Sequence, residues 1–166
     1  MTRQEITEFY EEHHRRLYNI AWRILRNPLD AEEVMQDTIL KFVTASRPFS
    51  SPAQESAWLS RTCIHAAIDR LRRLRRRDAF LQDYGRQEQE MAGVEDTLDG
   101  ALPDVVQIRA AMDSLPEPYR LVVDLVLIEG LDYREIAAMT GRKETTLRSL
   151  YSRGRAKLAE LLKQAI

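Results

Sequence analysis

Residues 78–105 interrupt the chain. They carry eight acidic side chains against one arginine, with Gly85, Gly93, Gly100 and Pro103 among few large apolar residues, and no apolar period survives across them. Such a stretch buries too little surface to offset the entropy of ordering it. The chain is therefore expected to fold as two small units, 1–77 and 106–166, joined by a flexible acidic linker with at most transient helix. Neither unit has room for elaborate catalytic machinery. At 44% hydrophobic and 31% charged, the 166 residues suit globular packing.

On both sides of the break the period is helical, so the expected fold class is all-α. From Glu8 to Arg26 the residues Phe9, Leu17, Ile20, Ala21, Ile24 and Leu25 recur at helical steps, and Asn27-Pro28 stops the run. A second helix is expected from an N-cap at Asp30, with Glu33 three residues on, to about Ala45. Val34, Met35, Thr38, Ile39, Phe42 and Val43 form its buried stripe, and Glu32, Glu33, Gln36, Asp37 and Leu40 its opposite face. The segment SRPFSSPAQ at 46–54 reads as an exposed loop. A third helix follows from about Glu55 through the arginine run, with Leu59, Thr62, Cys63, Ala66 and Leu71 turned inward.

Beyond the break, Val105, Ile108, Met112 and Leu115 resume the period. A helix from about Pro118 to Glu129 carries Leu121, Val122, Leu125 and Ile128 and ends at Gly130. A short helix capped by Asp132 ends at Gly141, and the last helix starts near Lys143 or Glu144 and runs to about Gln164. No alternating strand pattern competes.

The net charge of -1 conceals a segmented distribution. Residues 61–77 carry +6, residues 78–105 carry -7 and residues 141–166 carry +5. Two basic patches flanking an acidic stretch suit a polyanion held at two places. In the first patch, His65, Asp69, Arg72, Arg73 and Arg76 share one polar helix face, and the loop before that helix offers Phe49. An exposed aromatic loop beside a cationic helix suits a single-stranded nucleic acid with a flipped base. Trp58, near the helix start, reads as core.

In the second patch, a short helix, a glycine turn and a longer basic helix have the form of a helix-turn-helix. Arg142, Lys143, Glu144, Thr145 and Thr146, then Arg148 and Ser149 one turn on, offer donors and acceptors to phosphates and base edges of a duplex. Gly154 stands out as a helix-interior glycine, which costs about 1 kcal/mol relative to alanine.

Catalysis and metal binding find little support. His13, His14, Cys63 and His65 are the only nitrogen or soft ligands, and Cys63 and His65 point to different helix faces. Phosphate-loop, nucleophile-elbow and zincin motifs are absent. No cofactor is expected. The lone cysteine fits a reducing cytoplasm, and no apolar run approaches the ~20 residues needed to span a bilayer.

Taken together, DAEEVMQDTILKFV at 30–43, AWLSRTCIHAAIDRLRRLRRR at 57–77, LPEPYRLVVDLVLIEGLDYREIAAMTG at 115–141 and TLRSLYSRGRAKLAELL at 146–162 resemble the ECF (extracytoplasmic function) sigma factors. These are small two-domain bacterial RNA polymerase initiation subunits. The resemblance implies that 1–77 is similar to sigma domain 2, which docks on core polymerase and melts the minus-10 element. It implies that 106–166 is similar to sigma domain 4, which reads the minus-35 element. By position, Asp30, Glu33, Gln36, Asp37 and Leu40 would face the polymerase clamp, while His65, Asp69, Arg72 and Arg73 would face the minus-10 region; Phe49 and Arg76, read from the loop and helix face, are expected to join them against unpaired non-template bases. Arg142, Lys143, Glu144, Thr145, Thr146, Arg148 and Ser149 would face duplex promoter DNA. Histidine stands at 65 where the family commonly has asparagine, and Arg142-Lys143 where it often has a small apolar residue and proline. The family also implies an anti-sigma partner, and the apolar runs are too short for membrane insertion.

Two other readings remain at this stage. A free-standing helix-turn-helix regulator would bind duplex operators without polymerase. A magnesium nuclease would gather the carboxylates Glu11, Glu12, Asp30, Glu32, Glu33 and Asp37 in a cleft and lose activity in EDTA.

Overall fold

The computed structural model describes residues 1–45, 49–81 and 103–164, with the side chains of 77–81 and 103–104 left aside. Seven helices carry them: α1 (Arg3–Leu25), α2 (Pro28–Thr44), α3 (Pro52–Leu81), α4 (Pro103–Ser114), α5 (Glu117–Val123), α6 (Tyr133–Thr140) and α7 (Glu144–Gln164). A π-helical turn, Asp124–Ile128, continues α5. There is no strand among the described residues. The chain divides into two units between Met91 and Ala92. Helix α3 runs past residue 77 and α4 begins before residue 106; the rest of the expected acidic linker lies outside the described residues.

In the first unit α1, α2 and α3 pack on one another. Leu17, Ile20, Ala21 and Ile24 of α1, Ala31, Val34, Met35 and Ile39 of α2, and Leu59, Cys63, Ile64, Ala67 and Ile68 of α3 are buried in the core. The inward stripe of α3 is thus turned from the expected one. Ile64, Ala67 and Ile68 are buried, whereas Thr62, Ala66 and Leu71 are half-buried. Two polar groups inside this core are satisfied by backbone carbonyls. Thr38 Oγ1 donates to the Val34 carbonyl at 2.8 Å and Cys63 Sγ to the Leu17 carbonyl at 3.3 Å.

The helix starts differ from the expected ones, each for a capping reason. Helix α1 begins at Arg3 because Thr2 and Glu5 form a capping box: Glu5 N–H donates to Thr2 Oγ1 at 3.2 Å and Thr2 N–H to Glu5 Oε2 at 2.7 Å. For α2 the cap is Asn27, not Asp30. Its Oδ1 accepts from the N–H groups of Leu29 and Asp30, both at 3.0 Å, and Pro28 sits at the first position, where a missing N–H costs nothing. Helix α3 starts at Pro52 for the same reason, with Ser51 Oγ accepting from Gln54 N–H at 3.2 Å. The loop before it is therefore shorter than 46–54.

In the second unit Ala111, Met112, Leu115, Val123 and Leu158 form one core cluster, flanked by Tyr151, Leu161 and Leu162. Val105 and Ile108, expected on the buried stripe, are exposed. The π turn explains a further departure. Four consecutive residues, Val122 to Leu125, are buried, and Glu129 N–H reaches back five residues to the Asp124 carbonyl at 3.1 Å. The wider turn carries Ile128 off the stripe it would share with Leu121 and Leu125 in α winding, leaving it 51% exposed. Gly130 and Gly141 both adopt positive φ, 69° and 71°, and make the turns on either side of α6. No helix of the described residues is long and apolar enough to cross a membrane.

Candidate nucleic-acid interface

Helix α2 turns Glu32, Glu33, Gln36, Asp37 and Leu40 outward, all exposed. At about 100° per residue, Leu29, Glu33, Gln36 and Leu40 fall in one narrow row. Its two ends are apolar: Leu29 is 77% and Leu40 59% exposed. Leucines at both ends of a polar helical row suit another helix lying against it. Leu29 escaped the sequence reading because a cap at Asp30 placed it outside the helix; its spacing of four, seven and eleven residues from Glu33, Gln36 and Leu40 was the available signal.

Asp30, by contrast, is held inward. Arg70 of α3 donates to Asp30 Oδ1 from Nη2 at 2.9 Å and from Nε at 3.1 Å, and its Nη2 also meets Glu33 Oε2. Burial works against the guanidinium charge, but these two carboxylates more than offset it and raise the Arg70 pKa above its usual value. Arg70 was hidden among neighbouring arginines. It lies seven residues from Cys63 and three from Ala67, so it continues the buried row of α3 and must find a partner there.

The opposite face of α3 brings together His65, Asp69, Arg72, Arg73 and Arg76, whose register spans about a third of the helix circumference. His65, Asp69, Arg73 and Arg76 are exposed and Arg72 is half-buried. Phe49 is not the free loop aromatic expected. Its ring stacks on Phe42 at 5.5 Å and meets Trp58 at 6.0 Å, and Phe42 in turn stacks on Phe9 at 4.2 Å. These ring contacts tie Phe49 to α2 and to the start of α3. Phe49 remains half-buried, one edge of a continuous aromatic wall near the start of α3.

In the second unit Asp132 caps α6, its Oδ1 accepting from Glu135 N–H at 2.8 Å. After Gly141, Thr140 Oγ1 accepts the Arg142 N–H at 3.3 Å and α7 begins at Glu144. Arg142, Lys143, Glu144, Thr145, Thr146, Arg148 and Ser149 are all exposed, while Leu147 between them is buried. The start of α7 therefore presents a polar, mostly cationic surface anchored by one leucine. Arg148 lies with its guanidinium carbon 5.2 Å from the Tyr133 ring centroid, a neighbour the sequence reading did not find.

Gly154 is buried where α7 crosses α5. A Cβ there would meet Val123 Cγ2 at 2.8 Å and Tyr119 Cβ at 3.1 Å. The glycine permits a close helix crossing, so it is a packing requirement and not a weak point in α7. Among the described residues no three His, Cys, Asp or Glu side chains come together as metal ligands.

Residues 9–77 match the family Sigma-70 region 2 and residues 106–158 match Sigma-70, region 4. The chain is 35% identical over 161 residues to the ECF RNA polymerase sigma factor SigE of Mycolicibacterium smegmatis, covering 93% of this chain and 60% of that protein's length. It is 31% identical over 161 residues to the ECF RNA polymerase sigma factor SigM of Mycobacterium tuberculosis, covering 96% of this chain and 78% of that protein. Among solved structures it is similar to the sigma factor RpoE in complex with the anti-sigma factor NepR from Bartonella quintana. There the TM-score is 0.62 at 25% identity, over 96% of this chain and 98% of that one.

Proposed function

Because the chain belongs to the ECF RNA polymerase sigma factor family, we propose that it directs promoter-specific transcription initiation in the cytoplasm, as a non-enzymatic subunit of core RNA polymerase. The observation that carries this reading is the separation of two cationic surfaces onto two independently cored units, with an acidic, leucine-ended helix face on the first. A free-standing operator-binding regulator would use α7 alone and leave the faces of α2 and α3 without a role. A regulatory partner of the anti-sigma kind fits the same reading, since the similar RpoE structure is a complex with one.

In the proposed mechanism, the row Leu29, Glu33, Gln36 and Leu40, with Asp37 beside it, seats on a helical element of the polymerase. Asp30 holds Arg70 and fixes α2 against α3. The start of α7 enters the major groove of the minus-35 element, with Arg142, Lys143, Glu144, Thr145, Thr146, Arg148 and Ser149 at the contact. His65, Asp69, Arg72, Arg73 and Arg76 draw the minus-10 backbone to α3. A base flipped from the opened duplex rests against the exposed edge of Phe49. A protein drives melting only by binding the open state better than the paired one. A cationic helix supplies sequence-independent attraction, and the aromatic wall supplies a surface that only an unstacked base reaches.

The test is permanganate reactivity of promoter thymines in complexes with core polymerase. Arg72→Ala or Phe49→Ala is expected to leave promoter docking intact while reducing thymine reactivity. Parental opening by both variants would move the melting role elsewhere. Asp37→Lys is expected to weaken the complex with core polymerase without lowering the melting temperature; unchanged affinity would remove α2 from the docking surface.

A further inference from the structure

One side chain of α7 is tied to the helix before it. The Arg148 guanidinium lies over the Tyr133 ring at 5.2 Å, and Tyr151, one turn further along α7, meets the same ring edge-on at 6.2 Å. Tyr133 opens α6 directly after its N-cap and is half-buried, while Arg148 is exposed. The register of α7 separates this pair from the rest of the contact surface. Leu147, Gly154 and Leu158 are its buried row. At about 100° per residue, Thr145 and Ser149 stand opposite that row, whereas Arg148 lies on its flank, beside Tyr133.

A guanidinium held over an aromatic ring is attracted by the ring's face and still has N–H groups available for hydrogen bonds. In a helix-turn-helix the second helix shows its outward face to the base edges, and the first helix crosses the sugar-phosphate backbone. A cation anchored at the start of the first helix is therefore placed for a phosphate. We propose that Tyr133 and Arg148 form one phosphate clamp for duplex DNA, with Arg148 as the contact, Tyr133 as its positioning residue and base reading left to the outward Thr145 and Ser149 face. This rests on the reading of α7 as the duplex-binding helix. The ring's contribution is to hold a long, many-rotamer side chain near its bound geometry before DNA arrives, which reduces the ordering lost on binding.

The experiment uses the full chain with core polymerase and a duplex promoter library randomised across the minus-35 element, at several salt concentrations. Arg148→Ala is expected to lower affinity by the same factor, roughly 3- to 10-fold, for every sequence, and to make the slope of log K against log salt shallower by about 0.9, the release from one phosphate. Tyr133→Leu, or Tyr133→Met should the first not fold, is expected to lower affinity in the same sequence-independent way, while Tyr133→Phe matches the parent. The double variant, Tyr133→Leu with Arg148→Ala, should bind no more weakly than Arg148→Ala alone. A base preference altered at one position by Arg148→Ala, parental affinity in Tyr133→Leu, or additive losses in the double variant each overturn the clamp. A parent protein without preference at any randomised position overturns instead the reading of α7 on which the clamp rests.

Discussion

Gly154 and Arg70 are the two residues whose neighbours change their meaning. Replacing Gly154 by alanine adds about 1 kcal/mol of helix propensity but forces a methyl group onto a buried, branched Val123 side chain, and such overpacking typically costs about 1–3 kcal/mol. The expected outcome is a melting temperature lower by a few degrees; a rise would show that α5 yields freely. Arg70→Ala removes the counter-charge from Asp30 and Glu33, and the first unit is expected to lose about 1–2 kcal/mol in denaturant titration. Arg70→Lys should recover only part, because one ammonium cannot reproduce the two-atom grip on Asp30. Stability unchanged in Arg70→Ala would mean the pair is dispensable. Neither role was legible in the sequence. Propensity marks Gly154 as a defect until the facing atoms are known, and Arg70 looks like any other arginine of its run until Asn27 is found to cap α2 and leave Asp30 free to receive it.

At the scale of elements the sequence was informative about which helices exist and less so about their starts. Apolar spacing identified α1 and α2, because a buried row repeats often enough to be read without its partner; α6 was read from its Asp132 cap and Gly141 turn. Starts depend on single hydrogen bonds, and here Thr2, Asn27 and Ser51 make them just before the expected positions. The Thr2–Glu5 box has a measurable pH signature. Its backbone and side-chain hydrogen bonds from Thr2 lower the Glu5 pKa below the ordinary glutamate value. A carboxylate whose folded pKa is depressed contributes stability above its unfolded pKa and loses that contribution as pH falls through the folded one. Amide exchange at Thr2 and Glu5 is therefore expected to quicken relative to mid-helix amides as the pH drops below the glutamate range. Equal protection at neutral and acid pH would remove the carboxylate from the cap. The aromatic wall was not legible at all, because Phe9, Phe42, Phe49 and Trp58 come from separate segments.

At the scale of the whole molecule, the change in composition near residue 78 announced two units, and the two family matches fall one on each. Two weak DNA contacts on one chain raise each other's effective concentration. Residues 1–81 and 103–166 supplied as separate chains with core polymerase are accordingly expected to lose most promoter-specific initiation in run-off transcription. Full activity of the mixed fragments would show that the connection contributes nothing. The π turn after α5 adds a consequence for how this chain can change in length. That turn holds one residue more than α winding accommodates, so a deletion within Asp124–Ile128 removes a surplus and lets the helix close regularly. Everything after the turn is then expected to keep its orientation, with Gly130 still at the bend before α6. An insertion there has no such slack and would swing the whole helix-turn-helix around the axis of α5. This unit is thereby expected to tolerate loss of one residue at the turn better than gain of one.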